Sequence, residues 1–105
     1  MALSKTFNKQ LPKIRECLAH HPVERAWLFG SYSRGEERPD SDVDFLVQYS
    51  QQHELSLLDI GRLWGALHDL LGREVDLVED GYLLPYATES ANRDKILIYE
   101  RTTKL

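Results

Sequence analysis

The chain has 105 residues, 42% of them hydrophobic and 29% charged, which predicts one globular domain over residues 1–105. Its formal net charge of -4 argues against a broad basic face for nucleic acid, and too few residues remain for the separate lobes of a templated polymerase. A single cysteine, Cys17, excludes an internal disulfide, and no apolar run reaches signal-peptide or membrane-spanning length, so we expect a cytoplasmic protein.

A helix and a strand are the first elements that the sequence predicts. The helix has apolar residues three and four positions apart and is expected to end near His20. Because Pro12 lies inside this span, we expect the helix to kink there or to begin late. The apolar run from Val23 to Phe29 is typical of a buried strand. The apolar positions of the helix are Phe7, Leu11, Ile14 and Leu18.

A turn rich in glycine and serine follows this strand, in the segment GSYSRG at residues 30–35. Gly30 lets the backbone turn sharply and lets a bulky anion approach the main chain. Ser31 is suited to cap a short helical turn, whose free amides favour a phosphate. Arg34 can direct a cation at the same phosphate, although alone it is more often a solvated side chain or the partner of a neighbouring glutamate. We interpret residues 30–35 as a phosphate-binding turn.

Two aspartates, Asp42 and Asp44, open the next predicted strand, which runs from Asp42 to Gln48. The period of two in a strand puts both carboxylates on one face and the apolar residues on the other. Paired carboxylates repel each other unless a cation lies between them, which is how divalent metals are held for phosphoryl chemistry. Asp42 alone fits a turn residue equally well, whereas a carboxylate such as Asp44 rarely interrupts an apolar strand without a partner. Together with the turn, the pair predicts a site for a nucleoside triphosphate.

A second helix is predicted between a cap at Ser56 and a stop at Gly72. Its Trp64 is interpreted as a filler of the core or of an interface rather than as a nucleotide-stacking residue. The apolar stripe of this helix is expected at Leu57, Ile60, Trp64, Leu67 and Leu71.

Two further strands complete the predicted sheet. The strand from Glu74 to Glu79 has Val75 and Leu77 on one face and Asp76 on the other. A loop at residues 82–87 and a short helix at 88–94 lead into a last strand from Ile96 to Glu100. We therefore expect an α/β (α+β) fold, in which a mixed sheet of about four strands has helices packed on one face and the aspartates on the other.

The pattern Gly-Ser-x-x-Arg-Gly, followed by Ser-Asp-x-Asp, resembles the signature of the DNA polymerase beta-like nucleotidyltransferase superfamily. The short length makes the chain similar to the minimal nucleotidyltransferases (MNT), the antitoxin-type partners of HEPN proteins. The resemblance implies the nucleotidyltransferase fold and two bound Mg²⁺ or Mn²⁺ ions. The residues it implies for catalysis and metal binding are Asp42, Asp44 and Asp76, and those for nucleotide binding are Gly30, Ser31 and Arg34.

Three functions fit these observations. The first is transfer of a nucleoside monophosphate, with AMP from ATP as the expected case, to a hydroxyl group on a HEPN-type toxin. The second is a non-catalytic module that neutralises such a toxin by docking, and the third is a transferase for a small molecule, which in the superfamily carries an additional domain. The sequence does not name the base, and Tyr82 and Tyr86 are consistent with self-association or with docking of a partner.

Overall fold

Helices and strands follow each other in the order that the sequence predicts. The computed structural model describes residues 5–33, 35–36, 38, 41–50, 54–79 and 95–101. The loop and the short helix predicted at residues 82–94 lie outside these ranges. The elements are α1 (Lys5–Ala19), β1 (Val23–Phe29), a 3₁₀ turn (Gly30–Tyr32), β2 (Val43–Tyr49), α2 (Leu57–Leu71), β3 (Val75–Glu79) and β4 (Ile96–Glu100).

The four strands form one mixed sheet in the order β3-β2-β1-β4. β1 pairs antiparallel with β2 and with β4, whereas β2 pairs parallel with β3. The predicted mixed sheet in an α+β fold is therefore confirmed. Because β2 and β3 run side by side in the same direction, the two strands that carry the predicted aspartates begin at the same end of the sheet.

Apolar residues of both helices pack against one face of this sheet. Along β2, Val43, Phe45 and Val47 are fully buried in the same cluster as the apolar stripe of α1. The α1 residues in that cluster are Phe7, Leu11, Ile14 and Leu18, as the helical spacing predicts. This packing leaves Asp44 on the opposite face of β2, because successive side chains of a strand alternate between the faces.

The helix α1 differs from the sequence prediction at Pro12. The helix begins at Lys5, so the expected late start is wrong and Pro12 lies inside the helix. The proline ring is exposed, on the side away from the buried Leu11 and Ile14. The main-chain hydrogen bond that proline removes is thus lost on the solvent side of the helix and not in the core.

The ends of α2 are as predicted, and its buried stripe is as predicted only at Leu67 and in part at Leu71. Ser56 and Asp59 form a capping box at the start, and Gly72 ends the helix with φ 65°. The fully buried residues are Leu63 and Leu67, whereas the predicted stripe residue Leu57 is 86% exposed. The helix is apolar on more than one side, so its spacing fits two stripes equally well. Neither described helix is long and apolar enough to cross a membrane.

Candidate active site

The parallel pairing of β2 with β3 brings two of the predicted site residues side by side. The register pairs Asp44 with Asp76, between the apolar pairs Val43–Val75 and Phe45–Leu77. Paired residues on neighbouring strands point to the same face, so both carboxylates lie on the face opposite the core. Asp76 is exposed and Asp44 is half-buried. The arrangement leaves two acidic side chains in reach of a ligand from solvent.

Gly30 lies directly against the carboxylate of Asp44. The register of β1 and β2 pairs Phe29 with Asp44, and Gly30 follows with φ 76°. A Cβ atom at Gly30 would overlap Oδ2 of Asp44 and would lie 3.3 Å from its Cγ. Glycine is required here for two reasons, the left-handed backbone and the space that the carboxylate occupies. The sequence indicated only the first.

Ser33 holds the turn that follows Gly30. Its backbone N–H and its hydroxyl both donate to the carbonyl of Gly30, at 3.1 and 2.7 Å, and its side chain is only 1% exposed. Sequence reasoning did not single out this serine, although a hydroxyl that returns to the carbonyl three residues earlier is a known local pattern. The Ser31 backbone lies within the same 3₁₀ turn. The side chain of Ser31 and all of Arg34 lie outside the described parts of the chain, so their contacts with a phosphate stay predictions.

A second residue that sequence reasoning missed is Arg73, in the connection between α2 and β3. Its guanidinium lies 5.9 Å from the ring centroid of Tyr32, and its Nη1 donates to the carbonyl of Arg38 at 3.4 Å. Tyr32 is itself buried and packs on the ring of Phe7, with 5.5 Å between centroids. Arg73 thus brings a cation to the segment between the glycine turn and Asp42. Only the tertiary structure joins these two stretches.

Asp42 lies just before β2 and not within it, so the predicted strand begins one residue too early. The preceding residue, Ser41, is bonded to Arg38: its hydroxyl accepts from the Arg38 N–H at 2.8 Å and its own N–H donates to the Arg38 carbonyl at 3.0 Å. The next residue, Val43, donates its N–H to the carbonyl of Glu74 at 2.9 Å. Asp42 therefore lies between two residues whose backbone N–H groups are hydrogen-bonded, Ser41 and Val43, and it is exposed.

The chemistry of these carboxylates fits a hard divalent cation. Mg²⁺ and Mn²⁺ take oxygen ligands, and the side-by-side pair Asp44 and Asp76 gains most from a cation because the two like charges are adjacent. Within the described ranges, no three His, Cys, Asp or Glu side chains are grouped closely enough to hold an ion. The full set of Asp42, Asp44 and Asp76 as ligands of one centre therefore stays a prediction.

Two cavities lie on the helical side of the molecule, and none of the predicted site residues lines either one. One cavity of about 410 Å³ lies between α1 and α2, and another of about 450 Å³ lies beyond the end of α1. Arg101, which lines the second cavity, donates to three backbone carbonyls, at 3.1, 2.9 and 3.0 Å. Those carbonyls belong to Ala19, His21 and Val23, so Arg101 fastens the end of α1 to β1.

Comparisons with known proteins give matches to both the sequence and the fold. The sequence pattern of the family described as "Polymerase beta, Nucleotidyltransferase" matches residues 12–104. Protein adenylyltransferase MntA of Thermococcus cleftensis is 38% identical over 76 residues, which are 72% of this chain and 75% of the relative. A solved structure of a candidate minimal nucleotidyltransferase has a TM-score of 0.74 at 38% identity, over 88% of this chain and 92% of that one. The complex of a tri-AMPylated HEPN toxin from Shewanella oneidensis with an MNT antitoxin contains a chain of the same fold, with a TM-score of 0.65 and 21% identity over 90% of this chain and 72% of that one.

Proposed function

The chain belongs to the polymerase beta nucleotidyltransferase family and is a nucleotidyltransferase, and on this basis we propose that it transfers AMP from ATP to a hydroxyl group of a HEPN-type toxin. The transfer would inactivate the toxin, so the protein would act as its antitoxin. The observation that best supports the proposal is the pairing of Asp44 with Asp76 beside the Gly30 turn. The proposed compartment is the cytoplasm, where the single Cys17 stays reduced.

The proposed reaction forms a bond between the acceptor oxygen and the α-phosphorus of ATP while the bond to the leaving pyrophosphate breaks. Asp42, Asp44 and Asp76 are the residues proposed to hold Mg²⁺ or Mn²⁺. Such ions supply positive charge that stabilises the attacking and leaving oxygens. The turn that begins at Gly30 is proposed to bind the outer phosphates through its main chain, and Ser31 is proposed to donate a hydrogen bond to them. Arg34 is proposed to neutralise the same phosphates.

The acceptor is proposed from the relatives. One relative of more than 30% identity bears the name protein adenylyltransferase, and a fold neighbour is an MNT antitoxin with a HEPN toxin that carries AMP groups. A domain of this size has little surface of its own to position an acceptor hydroxyl. Because positioning supplies a large part of the rate in such transfers, the isolated chain should turn over ATP slowly and the docked toxin should accelerate it.

Mass spectrometry of a HEPN-type toxin co-expressed with the chain tests this proposal. We expect the toxin to gain one or more AMP groups in the presence of Mg²⁺ or Mn²⁺. The modification should disappear in Asp42→Ala, Asp44→Ala and Asp76→Ala. A toxin that remains unmodified with every nucleotide tried, and yet is neutralised, would refute the proposed reaction.

That last outcome would support a second candidate function, neutralisation by docking alone. The observation in its favour is the start of α2, where Leu57 and Leu58 are 86% and 61% exposed. Neighbouring exposed leucines are typical of surfaces that bind other proteins. Substitution of the aspartates by alanine would leave neutralisation by docking intact, whereas Leu57→Asp with Leu58→Asp would remove it. The aspartate variants therefore distinguish the two candidates, because only AMP transfer requires the carboxylates.

A further inference from the structure

Trp64 on α2 does not occupy the position that a core residue would. Leu63 and Leu67 form the buried stripe of the helix, whereas Trp64 is 39% exposed. The interpretation of Trp64 as a filler of the apolar stripe is therefore wrong for the core of this chain. An indole combines a large apolar surface with one N–H donor, and that donor usually has a hydrogen-bond partner where it is buried. A hydrogen bond donated by the indole N–H explains the position of Trp64 on the helix better than packing in the core does.

The indole of Trp64 binds the backbone of β3 immediately before Asp76. Its Nε1 donates to the carbonyl oxygen of Val75 at 2.8 Å. The preceding carbonyl, that of Glu74, points to β2 and accepts from Val43. Since successive carbonyls of a strand point to opposite edges, the Val75 carbonyl points away from β2. Trp64 therefore occupies a hydrogen-bonding position that no strand fills among the described residues.

His68, one turn further along α2, packs against the indole. The two rings stack with 4.9 Å between centroids and 20° between planes. The Nε2 atom of His68 lies 3.8 Å from Oε1 of Glu74, the residue before Val75. The imidazole and the indole thus contact the beginning of β3 at two consecutive residues. The helix holds this end of the strand from the side opposite β2.

We propose that Trp64 is a positioning residue for Asp76, and this inference rests on the proposed function. β3 is only five residues long, and within the described parts of the chain it pairs with β2 alone. Like charges directly opposite each other on neighbouring strands are destabilising, so the spacing of Asp44 and Asp76 depends on how firmly β3 is held in place. The hydrogen bond from Trp64 fixes the main chain of β3 at the residue next to Asp76. It keeps the two carboxylates at the spacing that a shared cation needs.

The test measures binding of the Mn²⁺–ATP complex to the full chain by isothermal titration calorimetry. The variants are Trp64→Phe, Asp76→Asn and the double variant, and the control is Trp27→Phe, whose ring contacts Lys95 at 4.7 Å. Because one hydrogen bond corresponds to about a two- to tenfold change in an equilibrium constant, Trp64→Phe should weaken Mn²⁺ binding by about that factor. Trp27→Phe should leave it within about twofold of the wild type.

The double variant separates positioning from general destabilisation. If Trp64 acts through Asp76, Trp64→Phe should have no further effect once Asp76 is asparagine. An equal loss in both backgrounds, or unchanged Mn²⁺ binding in Trp64→Phe, would overturn the inference while leaving the proposed function intact. Unchanged binding in Asp76→Asn would instead refute the metal site itself.

An isosteric replacement covers the case in which Trp64→Phe does not fold. Trp27 and Trp64 are the 2 tryptophans of the chain, so in a Trp27→Phe background a supplied tryptophan analogue enters position 64 alone. Benzothienylalanine keeps the shape of the ring and replaces its N–H by sulfur. We expect it to weaken Mn²⁺ binding as Trp64→Phe does. Wild-type binding with this analogue would show that the N–H has no positioning role.

Discussion

Replacing Gly30 by alanine should separate backbone strain from damage to the site. An alanine at φ 76° adopts a left-handed conformation that costs about 1–2 kcal/mol. Its Cβ would also overlap Oδ2 of Asp44. The aspartate side chain is short and can turn about its Cα–Cβ bond, so the overlap is relieved when the carboxylate leaves its position. The free energy of unfolding should then fall by the strain energy alone, whereas the affinity for metal and nucleotide should fall strongly.

Gly72 provides a matched control for this variant. It has a similar φ of 65°, yet a Cβ there would meet nothing within 4 Å. Gly72→Ala should therefore cost about the same 1–2 kcal/mol in the free energy of unfolding, measured with urea. Calorimetry with Mg²⁺ and ATP should show wild-type affinity for Gly72→Ala and strongly reduced affinity for Gly30→Ala. Equal affinities in the two variants would refute the role that we assign to the contact between Gly30 and Asp44.

Three further variants test other parts of the structure. Ser33→Ala removes the 2.7 Å hydrogen bond to the Gly30 carbonyl and should cost about 1 kcal/mol by urea unfolding, together with some nucleotide affinity; full stability would contradict the role of that bond. Gly65→Ala lies in a helix with open space around it and should raise the free energy of unfolding by about 0.5–1 kcal/mol, so a lower melting temperature would show a contact that we have missed. Burial, and after it the charge of His20, lowers the pKa of His21 below its ordinary 6.5. As the pH falls, the unfolded chain therefore takes up a proton at His21 before the folded chain does. The free energy of unfolding should fall as the pH drops below 6.5. His21→Gln should make that pH dependence shallower.

The strands and the ends of the second helix could be read from local sequence. β1 and β4 have the predicted bounds, and Ser56 and Gly72 cap α2 as expected. These features depend on residues close together in the chain, through side-chain alternation and helix capping. The motif around Asp42 and Asp44 was equally local, and it was sufficient to predict the family. Their catalytic roles, and those of Ser31 and Arg34, stay predictions.

The sequence by itself determined which residues can form strands, turns and a carboxylate site, because those properties depend on residue type and short spacing. The tertiary structure alone decided the register that pairs Asp44 with Asp76, the contact of Asp44 with Gly30, and the bond from Trp64 to Val75. Each of these joins residues at least 11 positions apart, and a shift of one residue in strand pairing would move every side chain to the other face. The spacing of apolar residues leaves that register open, and only the packing of helices against strands selects one.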